Sequence, residues 1–508
     1  MLIFPKPGLH FLSWVCLAPL VYAVLCAREA DAAELLEAEG YSYLAPATLF
    51  QAFFLGWACG AAVYLGSCYW VYFVMHTYGR LDSIIAAVLL VLFSLYIGLH
   101  QAVFAVLLAW AARSRAGYCR RALFLTPFLW VGVELLRTYL VGFPWDLLGT
   151  AQIDNTALCQ IAGFTGVYGL SFEIALVNAA FAAVFLVRPG RRWLMLTAAG
   201  VTALVLQSAQ WIGFEPVTSD HRALLVQQNV AVRERWQFNE YAELLQSLNA
   251  ATKLPEGSTD KPDLVVWPES SAPLFLNERL FVSTISGIAQ RLDAYTVAGS
   301  IGVREGAGSL YNSAALFTPQ GTMIARYDKV HLVPFGEYIP LQKLLSFARS
   351  LTHEVGAFAR GGSRFPLQAG PVKLGVFICY ESIFPSEVRQ FAARGAQVLV
   401  NISNDAWFGD SGAPGQHLNM ARMRAVENGR WLLRDTNSGI TASIDPLGRI
   451  VSRVPTNTRT VLLAPYALRN DTTFYTRNGD WFPIACAIIS LIGLLLRRHP
   501  GPARTPAP

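Results

Sequence analysis

Residues 372–382 read Val-Lys-Leu-Gly-Val-Phe-Ile-Cys-Tyr-Glu-Ser, an apolar run that ends in a thiol, a phenol and a carboxylate. A short continuous apolar run suits a strand covered on both faces. Cys379 then stands where that strand breaks into a turn at the sheet edge, a position suited to a nucleophile. It is the only cysteine between Trp211 and Trp481, so a disulfide framework is excluded there. By itself a lone cysteine is most often a small buried hydrophobe.

Similar runs flank it on both sides. Strands are predicted at Ala223 to Gln227, Leu264 to Trp267, Thr296 to Gly299, Ser313 to Phe317 and Val398 to Ile402. Between them Asn239 to Thr252, Glu278 to Leu292 and Phe384 to Arg394 return apolar residues every three or four positions, the mark of a helix with one buried face. Alternating strands and helices predict α/β layers. Gly439 to Ile444 and Arg449 to Val454 flank Asp445-Pro446-Leu447-Gly448 and read as a hairpin. Gly299-Ser300-Ile301-Gly302 lacks a phosphate-loop lysine and reads as a turn.

A thiol near its reference pKa of about 8.5 is mostly protonated at neutral pH, so a catalytic cysteine needs a base or a cation. Val265-Val266-Trp267-Pro268-Glu269 places a carboxylate at a strand end, where burial beside Trp267 would raise its pKa toward that of a working base. Tyr327-Asp328-Lys329-Val330-His331-Leu332-Val333-Pro334-Phe335-Gly336-Glu337 embeds a lysine in apolar sequence, paired with Glu269 or Glu337 and placed to stabilise an oxyanion. Singly, Glu269 is a solvated strand-end carboxylate and Lys329 a snorkelling lysine. Three such groups at three strand ends point to one site, Glu269, Lys329 and Cys379. Trp236, Trp267, Tyr380, Trp407 and Phe408 are candidates for an apolar wall around it. His331, His353 and His417 lack ligand spacing, and neither a metal nor a cofactor is expected.

The rest of the chain sets this site against a membrane. With 508 residues, 54% of them hydrophobic and only 15% charged, and a mean hydropathy of +0.38, the sequence is too apolar for a soluble enzyme. Seven spans are predicted, near 8–26, 50–75, 83–112, 122–141, 160–187, 193–212 and 482–496. Residues 1–27 lack a basic leader and a small-residue cleavage site, and read as a membrane helix, not a signal peptide.

Arg113, Arg115, Arg120 and Arg121, then Arg188, Arg191 and Arg192, then Arg497 and Arg498 mark three stretches on one side of the membrane by parity. Positive charge stays in the cytoplasm, so the polar region faces away from it. The acidic residues 28–46 are discordant but weigh little in this rule. The expected organisation is therefore 1–212 helical and polytopic, 213–480 an extracytoplasmic catalytic domain, and 481–508 a last span with a short cytoplasmic tail. Loop arginines account for part of the net charge of +6, and no basic stripe marks a nucleic-acid partner. Glu134 and Arg137 lie three apart in one apolar span, as an orienting ion pair or with Arg137 as a lipid-headgroup ligand.

Trp267-Pro268-Glu269, Tyr327 to Glu337 and Ile378-Cys379-Tyr380-Glu381 resemble the three catalytic motifs of the nitrilase superfamily. Asn401 to Gly409, Gln416-His417, Met420 to Ala425 and Gly142-Phe143-Pro144-Trp145 bring the resemblance closest to its membrane-bound branch, the apolipoprotein N-acyltransferases. The resemblance implies a nitrilase-like αββα sandwich set among transmembrane helices. By motif, Glu269 is the general base, Lys329 the oxyanion lysine and Cys379 the nucleophile, with Glu337, Tyr380 and Glu381 in support and Trp236 on a mobile arm near the lipid.

It also implies ping-pong chemistry in the bacterial cytoplasmic (inner) membrane. A phospholipid acyl donor charges Cys379, and the α-amino group of a diacylated apolipoprotein takes the acyl chain. A monomer is expected. The family pattern has eight spans, whereas this chain shows seven and opens at Phe4-Pro5 within what resembles the loop after the first; a late start assignment is expected in preference to a lost helix. Two rivals remain. One is a membrane-tethered amidase or other hydrolase using the same triad; the other is a catalytically inert scaffold or transporter.

Overall fold

The computed structural model describes residues 1–30, 44–112, 118–186, 189–231, 238–270, 272, 274–303, 308–338 and 358–496. Its N-terminal part is helical: α1 (Ala18–Leu25), α2 (Leu49–Ser67), α3 (Ser83–Ala112), α4 (Tyr118–Leu136), α5 (Val167–Val184) and α6 (Pro189–Ser208). Among the described residues, five stretches are long and apolar enough to cross a membrane, Leu49–Ser67, Ser83–Ala112, Arg120–Val141, Val167–Val184 and Arg191–Trp211, and two shorter apolar ones lie at His10–Leu25 and Trp481–Leu495. Phe50, Ile84, Trp193 and Leu204 stand exposed on these helices, an arrangement suited to hydrocarbon and not to water.

Hydrocarbon gives helices little hydrophobic reason to associate, so close backbone packing must hold them. Gly56 and Gly60 provide it between α2 and α3. A Cβ on Gly60 would lie 2.7 Å from the Cα of Gly98, and one on Gly56 would lie 2.4 Å from the Gln101 carbonyl oxygen. The span predicted at 160–187 begins later than expected. Gly166, at φ +68, separates α5 from two short turns, Thr156–Cys159 and Ala162–Thr165.

The second part is a sandwich of two six-stranded sheets. In chain order its elements are β1 (His221–Gln227), α7 (Phe238–Ala251), β2 (Leu264–Trp267), α8 (Arg279–Leu292), β3 (Tyr295–Val303), β4 (Leu310–Phe317) and β5 (Met323–Asp328), then β6 (Leu367–Ala369), β7 (Val372–Ile378), α9 (Pro385–Ala393), β8 (Val398–Ser403), α10 (Ala413–Asn428), β9 (Leu432–Thr436), β10 (Ala442–Ile444), β11 (Ile450–Arg453) and β12 (Thr460–Tyr466). One sheet runs β12-β1-β2-β3-β4-β5 and the other β11-β10-β9-β8-β7-β6. Parallel pairs β1–β2–β3 and β7–β8–β9 sit at the two centres, which is why their strands are apolar on both faces. The last apolar helix, α11 (Trp481–Leu495), returns to α4.

Alternation along β1 and β2 sorts the layers. Ala223, Leu225, Leu264 and Val266 join Val376, Ile378 and Val400 in the core between the sheets. Leu224, Val226, Val265 and Trp267 face outward and are covered by Leu245, Leu248, Phe281 and Ile285 of α7 and α8. Burial of side chains of this size stabilises by about 1.5–3 kcal/mol each. Helices outside both sheets complete the αββα order.

Two expectations need correction. Trp267 is no wall of the site: it is fully buried under the outer helices, its indole N–H donating to Thr252 Oγ1 at 3.1 Å. Residues 299–302 form no turn but the middle of β3. Gly299 is small for a different reason, since a Cβ there would lie 1.9 Å from the Pro268 carbonyl oxygen. Its missing side chain lets the Glu269 segment cross the strand.

Polar contacts join the two parts. The Trp145 indole donates to Gln416 Oε1 at 2.8 Å, and Glu427 of α10 accepts the Val167 backbone N–H at 3.0 Å, capping the N-terminus of α5.

Candidate active site

Three strand ends converge as the motifs predict. β2 leads through Pro268 to Glu269, β5 leads to Lys329, and β7 ends at Ile378 immediately before Cys379. Lys329 is 1% exposed, and its ammonium lies 3.3 Å from Glu269 Oε1 and 3.0 Å from Glu337 Oε1. Burial alone would push this ammonium down in pKa, but Glu337 and Glu269 together hold it above its ordinary range. It stays charged.

Asn312 is a site residue that the sequence reading passed over. From β4 its amide donates to Glu269 Oε1 at 2.7 Å and to Glu337 Oε1 at 2.6 Å, tying the two carboxylates together. The remaining oxygens are held by backbone: Glu269 Oε2 accepts the Asn404 N–H, and Glu337 Oε2 accepts the Val333 N–H, each at 2.7 Å. In sequence Asn312 was only a polar residue at a strand start. A polar side chain there, facing the layer between two sheets, was the signal available.

Cys379 adopts φ +49, the left-handed region that side chains avoid. The turn it begins, Cys379–Ile383, is pinned by Glu381. Glu381 Oε2 accepts the Ile378 N–H at 2.8 Å, while Oε1 accepts the Tyr327 hydroxyl at 2.7 Å and the N–H groups of Val330 and His331 at 2.9 and 3.1 Å. One carboxylate thereby locks the Cys379 turn to the Lys329 segment. Burial pushes the Cys379 thiol up, Glu269 pushes it further, and Lys329 opposes both. At rest the sulfur is a protonated thiol.

Behind the thiol lies a second buried network. His417 Nε2 is 2.7 Å from Ser382 Oγ and 3.1 Å from the Cys379 carbonyl oxygen, and its Nδ1 is 3.0 Å from Asp405 Oδ1. Arg434 donates to Asp405 Oδ2 at 2.7 Å. Burial works to raise the Asp405 carboxyl, but Arg434 and His417 outweigh it and hold it far below the usual carboxylate range. Burial and Arg434 keep His417 low and neutral.

The side toward the apolar helices is aromatic. The Tyr380 hydroxyl donates to the Gly142 carbonyl at 3.1 Å. Trp145 stacks on Phe143 and on His417, and Phe408 meets Trp70 and Trp145 edge-on. Trp407 contacts Tyr78 at 5.0 Å between ring centres. Trp236 and His353 lie outside the described residues. Arg137 makes no salt bridge with Glu134 among the described residues; it donates to the Tyr64 hydroxyl, while Glu134 accepts the Leu148 N–H at 2.7 Å.

Comparison with known proteins places both parts. Residues 222–470 match the carbon-nitrogen hydrolase family, and residues 1–180 match the apolipoprotein N-acyltransferase N-terminal domain. The apolipoprotein N-acyltransferase of Geobacter metallireducens is 37% identical over 95% of this chain and 90% of its own length. Those of Pseudomonas syringae pv. tomato and Methylococcus capsulatus are 33% and 34% identical, over 88% and 91% of this chain and 88% and 92% of theirs. Among solved structures, a carbon-nitrogen hydrolase from Helicobacter pylori aligns with 48% of this chain and 88% of its own at 20% identity, with a TM-score of 0.36.

Proposed function

The chain belongs to the apolipoprotein N-acyltransferase family, and from that premise we propose that it moves an acyl chain from a phospholipid to a lipoprotein through a thioester on Cys379. The observation that carries the mechanism is the buried Lys329 ammonium clamped between Glu269 and Glu337 beside a protonated thiol at a strained strand end.

In the first half-reaction Glu269 takes the thiol proton as sulfur attacks the sn-1 ester carbonyl. Lys329 stabilises the negative oxygen of the tetrahedral adduct. The carbon–oxygen bond then breaks, Glu269 returns its proton to the departing lysophospholipid oxygen, and the thioester remains. In the second half-reaction the α-amino group of an S-diacylglyceryl cysteine attacks the thioester. Glu269 takes a proton from nitrogen, and the thiol is released as the amide forms. Aminolysis has to outrun hydrolysis, so water must be scarce; the aromatic side formed by Phe143, Trp145, Tyr380 and Phe408 supports that condition.

The sandwich is proposed to lie outside the cytoplasm of a bacterial cell, on the face of the cytoplasmic membrane opposite the loop arginines. Within it Glu337, Tyr380 and Glu381 support the triad, and Trp407 lines the lipid side.

Intact-mass spectrometry of the protein in phospholipid micelles, with Cys379→Ala in parallel, tests this. A hydroxylamine-labile acyl adduct on the native protein alone, discharged onto the amine of a diacylated lipopeptide, is the expected result. Discharge to water alone would replace the acyltransferase with a hydrolase, and absence of any adduct would remove Cys379 as nucleophile.

A further inference from the structure

Polar atoms near Cys379 fall into two groups. Those of Glu269, Lys329, Glu337, Glu381 and Asp405 have partners. A few residues away, toward the apolar helices, three buried ionisable side chains, Arg137, Asp146 and Glu134, keep atoms without one. Among the described residues, Asp146, only 8% exposed, has neither carboxylate oxygen hydrogen-bonded, and Arg137, 2% exposed, has its Nε–H unpartnered. Leaving buried charged groups unsatisfied is costly, and a folded chain tolerates it where a ligand completes the bonding.

Their surroundings define a place. Asp146 acts electrostatically on Arg137 at the end of α4 and on Cys68 just after α2, yet no salt bridge joins Asp146 to Arg137 among the described residues. Arg137 has one guanidinium nitrogen committed to the Tyr64 hydroxyl of α2. Tyr64, Cys68, Trp145 and Tyr380 belong to one apolar cluster, and Tyr380 is bonded to Gly142, four residues before Asp146. The Asp146 N–H points to Met420 of α10, the helix that carries His417. The unpartnered pair therefore lies by Tyr380, the residue next to Cys379, on the side of the apolar helices.

Two free acceptors and a free donor of opposite charge, separated so that they do not satisfy each other, match a ligand with the inverse pattern. We propose that Asp146 receives a primary ammonium and Arg137 an adjacent anionic oxygen, forming a receptor for a zwitterionic amine beside Cys379. Resting on the acyl-transfer reading above, this names the chemistry read at that site. Two substrates carry such an amine: an ethanolamine phospholipid, whose phosphate would meet Arg137, and the acceptor, whose α-amino group must approach the thioester.

Asp146→Asn is the informative change, because Asn tolerates the left-handed backbone that Asp146 adopts at φ +51 while losing the charge. The first arm needs no chemistry. Native mass spectrometry of the Cys379→Ala protein, titrated with phosphatidylethanolamine and phosphatidylglycerol of identical chains, should show preference for the ethanolamine lipid. In the Cys379→Ala, Asp146→Asn protein that preference should fall by about tenfold, the loss expected for a charge-assisted bond. This arm stands even if Cys379 forms no thioester, so its failure is separable from failure of the proposed reaction.

The second arm uses Cys379-containing protein and follows thioester formation and its discharge to a diacylated lipopeptide separately. Loss of ethanolamine-over-glycerol selectivity in the acylation step assigns the amine to the donor. Slowed discharge in Asp146→Asn, with acylation from both lipids unchanged, assigns it to the acceptor, and then Asp146→Asn is expected to leave lipid binding in the first arm unaltered. Equal behaviour of the proteins with and without the Asp146→Asn change in both arms, or an equal loss of binding with both lipids, overturns the proposal. Should Asp146→Asn not be recovered folded, Arg137→Lys tests the same pairing: binding of both lipids should weaken, and unchanged binding of both would overturn it.

Discussion

The two sides of Cys379 are built on opposite principles. Toward the sandwich, Lys329, Glu269, Glu337 and Asn312 form a closed circuit in which each carboxylate oxygen has a partner. Toward the apolar helices the packing is aromatic, and the ionisable groups Arg137, Asp146 and Glu134 keep unpartnered atoms. A closed circuit fixes positions, because any displacement breaks several bonds at once. An open one leaves bonding capacity for something that arrives. On the proposed reading, the closed side would hold the chemistry and the open side would receive the substrate.

Breaking the closed side should have the largest effect. Glu269→Gln removes the proposed base, and thioester formation followed by intact mass should fall by about 10²–10⁴-fold. The same change should make the sulfur easier to ionise. Glu269 pushes the thiol up, so its neutralisation leaves Lys329 as the dominant neighbour. Alkylation by iodoacetamide between pH 7 and 9 should therefore speed up in the variant that acylates most slowly. A slower alkylation would contradict the charge arrangement.

Next in size is the network behind the nucleophile. Removing one partner of a buried ion pair costs about 3–5 kcal/mol, and Asp405→Asn strands Arg434. The pH dependence has a definite sign. The native Asp405 carboxyl is held below its ordinary value of 3.8, so the stability it contributes is complete above that value and is lost as pH falls below it, where only the unfolded chain takes up the proton. Thermal unfolding in detergent from pH 6 to pH 3 should lose stability in the native protein, with a shallower dependence in Asp405→Asn.

Gly299→Ala tests the close crossing of β3 and the Glu269 segment. A Cβ 1.9 Å from the Pro268 carbonyl forces the backbone apart, with overpacking costs of about 1–3 kcal/mol. Acylation should fall more than that stability loss would suggest, because the displaced segment carries Glu269, the proposed base. The smallest effect belongs to the contact that bridges the two sides. Tyr380→Phe deletes a neutral hydrogen bond to Gly142, worth about 0.5–1.5 kcal/mol, and a melting-temperature shift of a few degrees or less should report it.

The sandwich was legible in sequence where physical necessity left a local mark. Parallel strands must be apolar on both faces, so Leu264 to Trp267 and Val398 to Ile402 could be read from their own residues, and the observed strands match within a residue. Glycine was harder. Gly299 and Gly302 suggested a turn because local sequence cannot distinguish a bend from a close approach by a distant segment. The span at 160–187 began too early for a related reason: Gly166 sits in an apolar stretch that hydropathy averages over.

Trp267 was read toward the site by proximity in sequence, although strand alternation sends it to the other face. Asn312 and Asp146 gave no signal of their own, because their meaning depends on partners or gaps set by distant chain segments.

The cap that Glu427 places on α5 imposes an order on assembly. Val167 is translated 260 residues before the carboxylate that accepts its N–H. While the ribosome is still reading the sandwich, α5 already exists with a terminal donor that has no final partner. A nascent chain stopped after α6 would leave that donor without its acceptor, so the helical part is synthesised first and its last bonds are made only when α10 arrives.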